Sequence, residues 1–549
     1  MNSEQQLIQT AQAWVAQDFD PATISELQEL ISKAQQDPVA LAEIASRFAG
    51  PLQFGTAGLR AEVAAGESRM NRATVAKAAW GVSNWLLGNQ RKVLVVGNDA
   101  RTGSADFAED TCGIAAALGL TVIRLAAPVP TPVLAYALTE LNADAAVMVT
   151  ASHNPAKDNG YKVYDHSGSQ IISPSDKAIA ALIAQAPAAK DIDRSGNFQT
   201  VEMIDKYVSY VAANALPDLV KDLKIAYTAL HGVGSITFNK LLNQVGYQNL
   251  VEVNAQQQPD PAFPTVAFPN PEEDGAMDLL LALAKAENAD IAIANDPDAD
   301  RTAIALPTQT GWQLLSGDEL GTLLAWWCVM RAKLQNKPVT GAMAASIVSS
   351  SMTKRIATAN NLDFKFTLTG FKYVGRVTDL KFGYEEAIGY CVLPEKIKDK
   401  DGISASLFAI ELVSYLKSIN KSVFEQLDEL YQSYGTVLTK QITLRLKDVA
   451  AVGAKLTEIM NNLPTSLGDT KLTNVADFSS GIDGLPKASG IRLSFATGRI
   501  IIRPSGTEPK LKCYIEVTAE PGDDLASQKA ELTRQLDLLA GELAKLVKA

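Results

Sequence analysis

The sequence predicts three mixed α/β domains of similar design, with largely parallel sheets, followed by a smaller C-terminal α+β domain. Three observations carry that reading. Short apolar runs of strand length alternate with helix-length segments from about residue 90 to about residue 390, as in sheets joined by crossover helices. Three such series end a buried strand in a charged or polar loop. After about residue 435 the alternation gives way to closely spaced strands and one long terminal helix. A chain of 549 residues also exceeds the size of a single core. The expected domains are residues 1–205, 206–315, 316–434 and 435–549.

Residues 1 to about 50 read as polar-faced helices leading into the first sheet, since MNSEQQLIQTAQAW has neither the basic nor the apolar stretch of a targeting segment. The first series then runs through a strand at Val93–Val96, a helix at Ala105–Leu118, a strand at Thr121–Leu125, a helix at Val133–Leu141 and a strand at Ala145–Val149. It is expected to be parallel and right-handed. The second series has a strand at Leu223–Tyr227, helices near Thr237–Val245 and Ala276–Glu287, and a strand at Ile291–Ala294. The third has a helix at Leu320–Leu334, a strand at Ala342–Val348, a helix at Met352–Asn360, and strands at Phe364–Leu368 and Lys381–Tyr390. The last domain has strands at Ile442–Leu446, Ile491–Phe495, Arg499–Arg503 and Leu511–Val517, with helices at Ala454–Asn461 and Leu525–Val547.

Composition narrows the function. A formal net charge of −11 argues against a nucleic-acid or anionic-membrane surface and requires any anionic substrate to find a local basic pocket. Cys112, Cys328, Cys391 and Cys513 lie far apart without a C-x-x-C pair, as expected for reduced core thiols. No run of about 18 apolar residues is present. A cytoplasmic protein without membrane or nucleic-acid partners is expected, of unknown oligomeric state.

Six segments could carry chemistry. Thr150-Ala151-Ser152-His153-Asn154-Pro155 places a hydroxyl nucleophile where a buried strand runs out into a loop, the end at which open α/β sheets bind ligands. An ordinary Asn-Pro turn would read the same way. Asn295-Asp296-Pro297-Asp298-Ala299-Asp300-Arg301 crowds three carboxylates into a loop, which calls for a hard cation such as Mg²⁺. An EF-hand is excluded, because counting from Asp296 puts Arg301 at the glycine position and Pro307 at the glutamate position. Arg503-Pro504-Ser505-Gly506-Thr507 offers a guanidinium, hydroxyls and a glycine-freed backbone to a phosphate, or forms a β-turn. In Gly383-Tyr384-Glu385-Glu386-Ala387-Ile388-Gly389 the paired acids could accept from sugar hydroxyls, although neighbours on a strand face opposite ways. Gly55-Thr56-Ala57-Gly58-Leu59-Arg60 and Asn159-Gly160-Tyr161-Lys162 add two cations, for a phosphate or for solvent.

Taken in order, GTAGLR, TASHNP with NGYK, DPDADR, GYEEAIG with KDKDG, and RPSGTEP resemble the α-D-phosphohexomutase family, which includes phosphoglucomutase and phosphomannomutase. The resemblance spans almost the whole chain. It implies four domains around one central cleft, a phosphoserine at Ser152, and Mg²⁺ held by Asp296, Asp298, Asp300 and an oxygen of Ser152. Lys162 would carry protons beside the nucleophile, Arg60 would support the phosphate, His153 would orient the serine loop, and Lys400 of KDG would be a second acid/base. Glu385 would accept from sugar hydroxyls, with Glu386, Lys372 and Arg301 also on the substrate. Arg503, Ser505, Gly506 and Thr507 would grip the phosphate that is not reacting. Ala387 stands where many relatives carry a hydroxyl, and Asp165-His166-Ser167-Gly168 matches no assigned role.

The implied activity is interconversion of hexose 1-phosphate and 6-phosphate, glucose first, with glucose 1,6-bisphosphate as intermediate and activator. Lys162, if surrounded by cations, is expected to have a pKa depressed toward neutrality. Mannose or pentose phosphates as substrates, a sugar-bisphosphate synthase, and a non-catalytic sugar-phosphate sensor are the alternatives. A serine hydrolase lacks its G-x-S-x-G elbow here.

Overall fold

The computed structural model describes residues 3–505 and 510–548. One compact unit takes in the chain up to Leu315 together with Gly389–Glu411, and a second takes in Ser316–Ile388 and the chain from Leu412 onward.

In the first unit the leading helices Ser3–Val15, Pro21–Ala34 and Pro38–Arg47 bury Ala11, Leu27, Ile31 and Ile44 against one another. Asp20 and Asp37 cap the second and third, each accepting a backbone N–H just before a proline-led first turn. A six-stranded sheet follows, in the order Leu59–Glu62, Asp158–Asp165, Ala145–Val149, Val93–Asn98, Thr121–Leu125, Gln199–Val201. The inner strands are parallel, as expected. The strand Asp158–Asp165, however, runs antiparallel to both of its neighbours, so the serine loop is the short return of a hairpin rather than the start of a crossover. A five-stranded sheet repeats the device, with Thr302–Thr308 antiparallel to Ile291–Asn295 behind the acidic loop.

These return strands are hidden in the sequence because Asp158-Asn159-Gly160 and Asp300-Arg301 look like turns. Gly160 is nonetheless deep in the sheet: a Cβ there would lie 2.5 Å from the Thr150 carbonyl oxygen and 3.0 Å from that of Leu59. The helix Arg72–Gly88 is likewise unannounced, since Ala73, Val75, Ala76, Ala78, Ala79 and Val82 bury most of its circumference and leave no apolar stripe to read.

The second unit opens with the helix Gly317–Leu334, followed by parallel strands in the order Asp363–Thr367, Ala342–Ser346, Leu380–Glu385. The single strand expected over Lys381–Tyr390 breaks after Glu385 into a turn in which Ile388 has a φ of 50°. A six-stranded antiparallel sheet follows, in the order Val437–Arg445, Lys510–Thr518, Gly498–Pro504, Ile491–Phe495, Thr470–Asp477, Ser466–Leu467. The helices Val449–Asn461 and Leu525–Lys548 cover it, burying Leu456, Leu536 and Leu543 against Leu493, Ile500 and Ile515. This is the expected α+β plan. The four cysteines form no disulfide. Among the described residues no single helix is long and apolar enough to cross a membrane.

Candidate active site

Ser152 sits three residues beyond the strand Ala145–Val149, with a φ of 53° and 3% exposure. A non-glycine residue keeps such a φ only when its surroundings hold it, and here they do. Its amide donates to Thr150 Oγ1 at 2.9 Å. Its carbonyl accepts from Arg101 Nη2 at 2.6 Å, and the same nitrogen reaches the Asn154 carbonyl at 2.6 Å. Arg101 Nη1 donates to the carbonyls of Pro155 at 2.8 Å and Asp158 at 3.1 Å. One buried guanidinium therefore ties four carbonyls of the serine loop, with Asp99 3.4 Å from its Nε and the Phe263 ring centroid at 4.9 Å. The sequence reading missed Arg101. Its only local signal is a charged Asp99-Ala100-Arg101 turn at the carboxyl end of Val93–Asn98.

The Ser152 hydroxyl donates to Asp296 Oδ2 at 2.9 Å and lies 3.1 Å from His153 Nδ1. Burial and the nearby Arg301 and Arg60 hold His153 well below its ordinary pKa. Arg60 donates to Asn154 Oδ1 at 3.0 Å. Its strand pairs Arg60 with Gly160, and Gly58 approaches so closely that a Cβ would fall 1.8 Å from the Tyr161 carbonyl oxygen. The GTAGLR and NGYK segments are thus one braced piece of sheet.

Asp296, Asp298 and Asp300 follow the strand Ile291–Asn295 and converge, with one oxygen from each within 4.8 Å of the others. Neighbours hold the loop in place: Asn295 Nδ2 donates to the Arg301 carbonyl at 2.7 Å, Val233 N to the Pro297 carbonyl at 2.8 Å, and Thr131 Oγ1 to Asp298 Oδ2 at 2.7 Å. Gly232 and Gly402 pack on it, where a Cβ would come 2.2 Å from Pro297 Cα and from the Arg301 carbonyl oxygen respectively.

Burial raises the Asp296 pKa, and Asp298 and Asp300 raise it further. At Asp300 burial is outweighed by Lys400 and Lys162, which hold the carboxyl far below its usual range. Asp298 Oδ1 and Asp300 Oδ1 are buried without a hydrogen-bond partner. Three buried carboxylates with two oxygens unserved suit a hard cation, so the triad can hold a metal.

Lys162 Nζ lies 2.8 Å from Asp298 Oδ2 and 3.2 Å from Asp300 Oδ2, and Lys400 Nζ also bonds to Asp300. Burial lowers the Lys162 pKa, but these two carboxylates outweigh it and the value is raised. The depression toward neutrality expected from the sequence is not met, because the immediate partners are carboxylates rather than cations. Arg301 Nη1 is paired with Glu272 Oε2 at 3.1 Å. The unassigned stretch Asp165–Gly168 is a turn that leads into a dock for the Lys400 loop: Ser169 Oγ donates to the Lys398 carbonyl at 2.9 Å, and Tyr164 Oη to Asp399 Oδ2 at 2.7 Å.

The remaining predicted residues belong to the second unit. Glu385 Oε1 accepts from the Gly370 amide at 2.6 Å, which braces the loop leading to Lys372. Glu386 Oε2 accepts from Ser346 Oγ at 3.0 Å and Ser349 Oγ at 2.9 Å. Arg503 is the penultimate residue of the strand Gly498–Pro504, and the Ser505 amide donates to the Lys510 carbonyl at 2.8 Å. Gly506 and Thr507 lie outside the described residues.

Four family models match the chain in order. They are the phosphoglucomutase/phosphomannomutase alpha/beta/alpha domains I, II and III over residues 51–190, 205–310 and 316–434, and the C-terminal domain over residues 442–535. The chain is 42% identical over 472 residues to a probable phosphomannomutase of Haemophilus influenzae, across 84% of this chain and 96% of that protein. It is 33% identical over 601 residues to a phosphopentomutase of Homo sapiens, across 99% of this chain and 96% of that protein. Among solved structures, one of a putative phosphomannomutase from Thermus thermophilus superimposes with a TM-score of 0.72 at 24% identity, covering 91% of this chain and 100% of that one.

Proposed function

We propose that this chain, which belongs to the phosphoglucomutase/phosphomannomutase family, interconverts the 1-phosphate and 6-phosphate of a hexose, glucose first, through a phosphoserine at Ser152. Family membership makes it a mutase, an isomerase-type phosphotransferase. The observation that carries the finer reading is the Ser152 hydroxyl on Asp296 at 2.9 Å, beside two carboxylate oxygens with no partner.

Phosphoryl transfer spreads charge over the moving group, so positioning and electrostatics do most of the work. The phosphoryl group on Ser152 Oγ passes to the free hydroxyl of the sugar monophosphate: the Oγ–P bond breaks, the new O–P bond forms, and the hydroxyl proton leaves to a side chain. After the 1,6-bisphosphate turns round, its other phosphoryl group returns to Ser152. Asp296, Asp298 and Asp300, with an oxygen on Ser152, would hold Mg²⁺, which would supply positive charge to that transfer. Arg60 and Lys162 stabilise the transferring oxygens, Lys162 and Lys400 carry protons, and His153 orients the serine hydroxyl. Glu385 and Lys372 read the sugar, while Arg503 and Ser505 hold the distant phosphate. A cytoplasmic location for the reaction is part of the same proposal.

Relatives called phosphomannomutase and phosphopentomutase make mannose and ribose phosphates the direct competitors of glucose phosphate. Turnover on glucose 1-phosphate, mannose 1-phosphate and ribose 1-phosphate, with glucose 1,6-bisphosphate and Mg²⁺ present, tests the proposal. The highest kcat/KM on glucose 1-phosphate is expected. A higher value on either competitor reassigns the sugar, and no turnover on any of them removes the mutase reading.

A further inference from the structure

The segment Ser346-Ile347-Val348-Ser349-Ser350-Ser351 leaves the strand Ala342–Ser346 and is held from two sides. On one side stands the turn of the sugar loop. Glu386 Oε2 accepts from Ser346 Oγ and Ser349 Oγ, at 3.0 and 2.9 Å, and the Glu386 amide donates back to Ser349 Oγ at 3.1 Å. On the other side stands the C-terminal sheet. Arg499 Nη2 donates to the Ser349 carbonyl at 2.9 Å, and Arg499 Nε to Glu516 Oε1 at 3.0 Å, while the Ser351 amide donates to Glu516 Oε2 at 2.6 Å.

Ser349 is therefore the residue on which both sets of contacts meet, its hydroxyl engaged by Glu386 and its carbonyl by Arg499. Between them Ile347 and Val348 pack with Ile501 and Tyr514 of the same sheet. The Tyr514 phenol is buried near Glu386 and Arg503, whose charges act on it in opposite directions.

The turn itself has little freedom to absorb a displacement. Ile388 is held at a φ of 50°, and Gly317 lies so close beneath that a Cβ there would fall 1.7 Å from the Glu386 carbonyl oxygen. Moving Glu386 thus moves its neighbour Glu385, and with it the Gly370 amide that Glu385 holds at 2.6 Å. Interiors packed this tightly pass on a shift rather than absorb it.

We propose that Ser349 and Arg499 are positioning residues that lock the Glu385–Glu386 turn to the sheet carrying Arg503, so that reading the sugar and gripping the phosphate are coupled. Glu386 serves the lock rather than the sugar. The kinetic consequence rests on the roles proposed above for Glu385 and Arg503, whereas the mechanical coupling does not.

Native-state hydrogen exchange on the full chain tests the coupling without any turnover. In Arg499→Lys, amides in both 346–351 and 384–389 should exchange about tenfold faster than in wild type, the equivalent of about one hydrogen bond. Faster exchange confined to 346–351, with 384–389 unchanged, overturns the proposal even if the chain is a mutase. Loss of the mutase reading, in turn, leaves this exchange result decisive.

Kinetics supplies the second test. In folded Ser349→Ala, KM for the preferred sugar phosphate should rise about tenfold with kcat lowered less than about threefold, and Ser349→Thr, which keeps the hydroxyl, should recover KM. An unchanged KM in Ser349→Ala, or kcat and kcat/KM falling by the same factor, overturns it.

Discussion

Replacing Arg101 by lysine keeps the charge beside Asp99 but cannot keep the clamp on the serine loop. The guanidinium reaches four carbonyls at 2.6 to 3.1 Å through two nitrogens set at a fixed angle. The three donors of an ammonium radiate from one atom, which cannot span carbonyls spread over two guanidinium nitrogens, so about two of the four are lost. A hydrogen bond from a charged donor contributes about 1.5–3 kcal/mol, so losing two removes about 3 kcal/mol at the low end of that range. The loop must also hold Ser152 at a φ of 53°, a conformation costing on the order of 1–3 kcal/mol. With half the clamp gone, the strained geometry is no longer the favoured one, and its population should fall about 100-fold, at about 1.4 kcal/mol per decade.

Rapid-quench measurement of phosphoenzyme formation from labelled glucose 1,6-bisphosphate reads this directly. In Arg101→Lys the rate should drop about 100-fold while KM changes little, because Arg101 grips the loop backbone and is not assigned to substrate. Thermal unfolding checks that the variant is folded. A folded Arg101→Lys that is phosphorylated within about threefold of the wild-type rate would refute the reasoning.

Three further outcomes are expected. Asp298→Asn should weaken Mg²⁺ binding about tenfold or more by calorimetric titration, since even outer-shell changes cost that much; an unchanged titration removes the acidic loop from metal binding. Burial pushes the Asp318 carboxyl up to about 7 against hydrogen bonds from Ser350 and Thr439, with Glu386 adding to the rise and Tyr384 opposing it. A folded-state pKa above the unfolded value of about 4 means that the stabilising effect is complete at low pH and is lost as pH rises toward 7, by up to about 4 kcal/mol. Denaturant unfolding from pH 4 to 8 should show that loss in wild type but not in Asp318→Asn; parallel profiles contradict it. Gly160→Ala should destabilise the fold by about 1–3 kcal/mol, because its Cβ has no room between the carbonyls of Thr150 and Leu59, and a wild-type melting temperature would show that the strands can part.

The sequence exposed the loops that end buried strands, because an apolar run cut off by Ser152 or by Asp296 carries its own boundary. Residues that act on those loops from a distance left no such mark. Arg101 ties backbone carbonyls some 50 residues away, and Thr131 meets Asp298 167 residues on. Gly160 and Gly402 look like turn formers and are wanted for close approach instead. Glu386 looks like Glu385 in sequence, yet its carboxylate rests on Ser346 and Ser349. Lys162 reaches the acidic loop, and the direction of its pKa depends on Asp298 and Asp300, whose approach is a matter of tertiary packing.

The central claim is that Ser152 carries a phosphoryl group received from a sugar bisphosphate. Incubation with labelled glucose 1,6-bisphosphate and Mg²⁺, followed by peptide mapping, addresses it in one measurement. One phosphate per chain on Ser152 in wild type, and none in Ser152→Ala, is the predicted result. Label on another residue, or label retained in folded Ser152→Ala, would contradict the account.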